Sequence, residues 1–187
     1  MVILITGATH TGKTLLAQRL LEQTHYPALS IDHLKMGLIR SGNTTLTPED
    51  DDALTDYLWP IVREMIKTAI ENRQNLIVEG CYVPFDWRRD FDERCLSSIR
   101  FYCLAMSDAY IDAHFDAIRA YGRAIEDRRF DMDCTADDLK AENRKSIAGF
   151  RACGEAVTLI DEDYMAAIRT VLDEWKGSGS ERKGHTI

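Results

Sequence analysis

Long apolar runs are missing from this sequence. The opening run, Val2 to Ile5, meets Thr6 and Gly7 at once. That is too short for the apolar core of a secretory leader, and no stretch approaches the ~20 residues of a membrane-crossing helix. A chain that works away from the membrane is therefore expected. Surplus positive charge is also missing: 31 acidic residues stand against 23 basic ones, for a formal charge of -8. Such a balance disfavours nucleic acid as the main partner. The five cysteines (Cys81, Cys95, Cys103, Cys134 and Cys153) include no Cys-x-x-Cys pair and no short metal-ligand spacing. Reduced thiols in a cytoplasmic protein are the expectation. His33 and His114 stand alone, without the partner spacing of a metal site.

What is present is an ordinary globular core, 45% apolar in 187 residues, enough for one domain. Five short apolar, β-branched runs read as strands: Val2 to Thr6, Pro27 to Ile31, Leu76 to Val78, Ile99 to Ala105 and Ala156 to Ile160. Between them lie helical patterns, at Lys13 to Gln23, Asp32 to Arg40, Thr47 to about Asn72, Asp108 onward and Thr135 to Cys153. A last one covers Tyr164 to Trp175. In the third, Thr47 is expected to cap the helix and Pro60 to bend it. Alternation of this kind predicts an α/β fold: a five-stranded parallel sheet with helices on both faces. One domain is expected over 1–176, followed by a polar, glycine-serine-rich tail over 177–187.

One motif is specific. Gly7-Ala8-Thr9-His10-Thr11-Gly12-Lys13-Thr14 matches G-x-x-x-x-G-K-[ST] in full, between a strand and a helix. Its glycines allow successive amides to turn toward phosphate oxygens. Lys13 adds a positive charge over the outer phosphates, Thr14 offers a hydroxyl to magnesium, and the helix that follows presents its positive end. The loop backbone at Gly7, His10, Thr11, Gly12, Lys13, Thr14 and Leu15 is accordingly assigned to ATP.

With this loop at the start of a chain of under 200 residues and arginines late in it, the sequence resembles the nucleoside-monophosphate-kinase-like group of P-loop kinases. That group includes shikimate and gluconate kinases, chloramphenicol phosphotransferase and zeta toxins. The resemblance spans about residues 1–175 and implies a P-loop kinase fold with a helical lid at about 119–135. It implies that Asp32, at the end of the second strand, accepts the proton of the acceptor hydroxyl; capping of the next helix is the competing role. It implies that Arg40 holds an anionic group of the acceptor, with Lys35 a weaker candidate. Glu79, after the third strand, is assigned to magnesium or the acceptor. Arg119, Arg123, Arg128 and Arg129 are the lid candidates, Arg119 and Arg123 catalytic and Arg128 on ATP, with Arg144 behind them. The adenine is expected near Asp161 to Tyr164. Cys81-Tyr82-Val83-Pro84 lacks the arginine that adenylate kinases carry after their Asp-Gly pair, which favours a hydroxyl-bearing small molecule as acceptor. Trp59, Phe85 and Trp87 line its pocket or pack the core.

The activity these residues imply is magnesium-dependent transfer of the ATP γ-phosphate to a small-molecule hydroxyl, by a monomer or homodimer. A zeta-toxin-like kinase of nucleotide sugars and a non-catalytic ATP-binding switch are the alternatives. A GTPase is disfavoured, because Asn143-Arg144-Lys145-Ser146 is not an Asn-Lys-x-Asp guanine motif.

Overall fold

The computed structural model describes residues 1–125 and 134–176, with 122–125 described by their backbone alone. Five strands are present: β1 (Val2–Gly7), β2 (Ala28–Ser30), β3 (Leu76–Glu79), β4 (Ile99–Met106) and β5 (Val157–Ile160). They form one parallel sheet in the order β2-β3-β1-β4-β5. The helices are α1 (Lys13–Thr24), α2 (Ile31–Arg40), α3 (Asp51–Glu71), α4 (Glu93–Leu96), α5 (Asp108–Ile125), α6 (Ala136–Ala152) and α7 (Tyr164–Glu174).

Strand β1 is wholly buried, which its unbroken β-branched run requires. Its side chains alternate between two cores. Val2 and Leu4 join Ile31, Leu58, Val62, Val78 and Phe150 on one face. Ile3 and Ile5 join Leu16, Leu20, Leu104, Ile168 and Val171 on the other. Thus α2, α3 and α6 cover one face, and α1 and α7 the opposite one. A third apolar cluster (Met106, Ile111, Ile118, Leu139 and Ile160) ties α5 and α6 to the ends of β4 and β5.

Most expected boundaries lie within two residues of the observed ones, the usual uncertainty of helix and strand ends. Helix α3 differs more. It starts at Asp51 with Asp50 as its cap, not at Thr47. The amide and hydroxyl of Thr47 donate to Asp50 Oδ2 at 2.7 and 2.9 Å, so the two residues close a turn ahead of the helix. The helix runs through Pro60 as one element. Pro60 is exposed, while Leu58, Trp59 and Val62 beside it are buried, so apolar packing outweighs one lost backbone bond. A 3-10 turn at Trp87–Asp90 and the short α4 had no counterpart in the sequence reading.

The tryptophans belong to the core. Trp87 is 1% exposed, stacks on Phe101 at 5.1 Å and meets Phe91 edge-on at 5.8 Å. Trp59, also buried, donates its Nε1–H to Asp90 Oδ2 at 2.7 Å. Phe85 packs edge-on against Phe150 at 4.9 Å. Neither tryptophan lines the cavity over the loop that follows β1.

Asn143 sets the position of α6. Its buried carboxamide accepts from the Met106 amide at 2.7 Å and donates to the Leu139 carbonyl at 2.8 Å. The helix is thereby pinned to the end of β4, and the adjacent Glu142 comes to the rim of the loop that follows β1.

Candidate active site

Every strand of a parallel sheet points its carbonyl end the same way, and sites form along that edge. Gly7, Ser30, Glu79, Met106 and Ile160 all end their strands there. The loop from Gly7 to Gly12 is held by its own conformation. Gly7 has φ 134° and Gly12 φ 78°, both in the left-handed region open to glycine. A Cβ on Gly7 would overlap the Leu104 carbonyl, and one on Gly12 would lie 2.5 Å from Tyr164 Oη. His10 also takes positive φ, at 62°. Thr11 is buried and donates to the Ala8 carbonyl at 2.8 Å, which closes the turn from within. Helix α1 then begins at Lys13 with no side-chain cap and no acid in its first turn, so its leading amides are left for an anion.

Lys13 is 7% exposed, and its Nζ donates to the Ala8 carbonyl at 2.7 Å. Burial pushes the pKa of its ammonium down, but a hydrogen bond to the Cys81 sulfur and the charges of Glu142 and Glu79 push it up, and the net direction is up. The ammonium therefore stays protonated. Cys81 itself moves the other way from an ionised thiol: burial raises its pKa, so it stays neutral. Thr14 Oγ1 lies 3.3 Å from Glu79 Oε2, and Glu79 is buried beside Ile5 in the β1–β3 register. That hydroxyl-carboxylate pair is the hard oxygen donor set magnesium takes in kinase sites, where substrate phosphates and water complete the shell. Among the described residues no group of three or more His, Cys, Asp or Glu forms a self-sufficient metal site.

A cavity of about 430 Å³ opens over the loop. Its floor includes His10, Gly12, Lys13, Thr14 and Leu15; Asp32 and Glu79 stand at one side. Tyr110, His114, Ile118 and Tyr164 form an apolar, aromatic end between α5 and α7. Tyr164 also donates its hydroxyl to the Gly12 carbonyl at 2.9 Å, tying α7 to the loop. Of the range expected at the adenine, Asp161 to Tyr164, Tyr164 alone lines the cavity.

Asp32 sits inside the first turn of α2, whose cap is Ser30. It does not cap the helix: its carboxylate instead pairs with Lys35 at 3.1 Å. Lys35 in turn donates to Tyr82 Oη at 2.8 Å, and Tyr82 donates to Asp51 Oδ1 at 3.1 Å. Partial burial raises the Asp51 pKa, with Tyr82 and Lys35 pulling it back down. Burial raises that of Tyr82 as well, so the phenol stays protonated.

The arginines are distributed differently from the expectation. Arg40 is exposed at the far end of α2 and does not line the cavity. Arg119 lies over the Phe115 ring at 5.6 Å and is not a lining residue either. Arg144 pairs with Asp108, the first residue of α5. The side chain of Arg123, together with Arg128 and Arg129, lies outside the described residues, as does most of the segment expected to form a lid.

Four residues of the site were not singled out from sequence. Glu142 accepts from the Thr9 amide at 2.6 Å, across 133 positions of chain. Cys81 lies 3.9 Å from Thr9 Oγ1. Tyr82 and Asp51 complete the chain from Asp32. Only Cys81 and Tyr82 carried a signal, as successors of the Glu79-Gly80 pair.

No protein-family model matches the sequence, and no curated protein matches it. Solved structures do share its architecture. A shikimate kinase from Bacteroides thetaiotaomicron aligns with a TM-score of 0.58 and 15% identity, over 93% of this chain and 97% of that one. A gluconokinase from Sinorhizobium meliloti 1021 aligns with a TM-score of 0.54 and 16% identity, over 93% and 90%. A sugar kinase from Janibacter sp. HTCC2649 aligns with a TM-score of 0.50 and 16% identity, over 92% of each chain. Identities this low show the fold alone, which this chain shares with those three proteins.

Proposed function

We propose that this protein transfers the γ-phosphoryl group of ATP to a hydroxyl of a small-molecule acceptor. One observation carries the reading: a single cavity is lined both by Lys13 and Thr14 of the phosphate loop and by the carboxylates of Asp32 and Glu79. A loop that only bound nucleotide would have no use for an acid facing it from the next crossover.

The loop amides and Lys13 hold the phosphates and oppose their charge, while the aromatic end between α5 and α7 takes the base. Thr14 and Glu79 are the residues to hold magnesium, which when bound neutralises phosphate oxygens. Asp32 orients the acceptor hydroxyl and receives its proton. As the acceptor oxygen bonds to the γ-phosphorus, the bond to the β–γ bridging oxygen breaks and ADP leaves. Little covalent work falls to the protein; positioning and charge supply the catalysis.

Asp32→Asn tests the assignment. A positioned general base contributes about 10²- to 10⁴-fold, so acceptor-stimulated ADP release should fall by that order while ATP affinity stays within about twofold. Unchanged transfer would remove Asp32 from the chemistry and leave it as the partner of Lys35.

A further inference from the structure

A base must present its carboxylate in one direction, and Asp32 has little of its own to fix that direction. It stands in the first turn of α2, where an aspartate side chain can swing toward the leading helix amides or out to solvent. Lys35, one turn further along α2, opposes both: its Nζ pairs with Asp32 Oδ1 at 3.1 Å. Among the described residues this is the only ion pair or hydrogen bond of that carboxylate, so Oδ2 is left for a hydroxyl. The two side chains are 12% and 19% exposed, and a pair shielded to that degree holds its geometry better than one on the surface.

A lysine alone would be a poor clamp, because its ammonium is a point charge on a flexible four-carbon stem. Here it is held from a second side. Nζ donates to Tyr82 Oη at 2.8 Å and stands 4.9 Å from the centre of the Tyr82 ring. Tyr82 is itself buried, and its hydroxyl proton is committed to Asp51 Oδ1 at 3.1 Å, so the oxygen turns a lone pair to Lys35. Burial keeps the phenol protonated, and that direction of donation persists. Three elements thus meet around one ammonium: α2 carries Lys35, the segment after β3 carries Tyr82, and α3 begins with Asp51. Asp32 lines the cavity over the phosphate loop, and Lys35 does not.

Resting on the kinase reading above, we infer that Lys35, anchored by Tyr82, is a positioning residue that aims the Asp32 carboxylate and does not touch the acceptor. The role implied by resemblance, capture of an anionic group of the acceptor, needs an ammonium that faces the cavity. This one is already shared by a carboxylate and a phenol. Loss of aim is costly, because a displacement of about 1 Å at a reacting group lowers a rate by about 10²-fold.

The experiment uses the full chain, Mg-ATP and four acceptor conditions: water alone, glucose, gluconate and shikimate. ADP release is followed for the native protein, Asp32→Asn, Lys35→Met and the double variant, with thermal midpoints recorded. With any acceptor whose turnover depends on Asp32, Lys35→Met should lower kcat about 10- to 10²-fold and leave the KM for acceptor and for ATP within about twofold. In the Asp32→Asn background the same substitution should change kcat by less than about twofold, since its route of action is gone. Tyr82→Phe keeps the ring beside the ammonium and removes only the hydroxyl. It should lower kcat about threefold to tenfold, with no further loss when Lys35 or Asp32 is already replaced. Should Lys35→Met not fold, Tyr82→Phe with and without Asp32→Asn decides the same question. A rise in acceptor KM at unchanged kcat would make Lys35 an acceptor contact and overturn the inference. An equal fall in kcat with and without Asp32 overturns it too, as does no fall at all. Native turnover by Asp32→Asn in every condition, or no turnover of Mg-ATP by the native protein in any, overturns the kinase reading instead.

Discussion

Replacing Lys13 by alanine is expected to lower phosphoryl transfer about 10²- to 10³-fold, the loss that follows removal of one preorganised donor at developing charge. The site makes this lysine more than an additional contact. Its ammonium is buried and stands among Glu79, Glu142 and the Cys81 thiol. Without it, the phosphates of ATP would approach two carboxylates with no positive charge between them, so ATP affinity should fall together with kcat. The measurement is steady-state turnover plus equilibrium nucleotide binding, with the thermal midpoint recorded to confirm folding. A folded variant with native turnover would be incompatible with the proposed chemistry.

Trp87→Ala should produce the largest loss of stability of any pocket candidate named from sequence. Truncating a fully buried aromatic costs about 3–5 kcal/mol, against a total stability of about 5–15 kcal/mol for a domain. For a chain of this length each kcal/mol shifts the midpoint by about 2–4 °C, so a fall of about 10 °C is expected. The contacts at risk are the stack on Phe101 at 5.1 Å and the edge-on packing on Phe91 at 5.8 Å. Thermal unfolding distinguishes this role from pocket lining. A pocket residue would change acceptor KM with a small change in midpoint; a core residue does the reverse.

That contrast shows where sequence reading succeeds and where it stops. Gly7 to Thr14 was legible because each fixed position answers a local demand, such as the positive φ at Gly12 or the Lys13 charge at a helix start. Asp32 was legible as a polar residue at the end of an apolar run, though not its ion pair with Lys35. The tryptophans were ambiguous because the same large apolar surface serves a core and a pocket equally well. Thr47 does not cap the helix as expected, because a threonine followed three residues later by an acid closes a turn as readily as it starts a helix. Glu142 carried no local signal at all. Its partner is the Thr9 amide, and their meeting depends on how Asn143 seats α6 against β4. Tyr82 carried a signal only as a successor of Glu79-Gly80; its place between Lys35 and Asp51 exists only once α2 and α3 have packed over β3.

The position of β1 has a consequence for how the protein is made. Its sheet partners, β3 and β4, are both synthesised long after it. A ribosome releases the residues of the phosphate loop first. Strand β3 can pair with β1 once Glu79 is made, but the strand on the other side of β1, β4, is complete only at Met106. The Leu104 carbonyl that crowds Gly7 comes from that late strand. Pairings so distant in sequence form slowly, because loop closure must precede any reward from contact. The N-terminal motif is therefore not a portable cradle. A fragment ending before Ile99 would carry every residue of the loop but lack the strand that packs against Gly7.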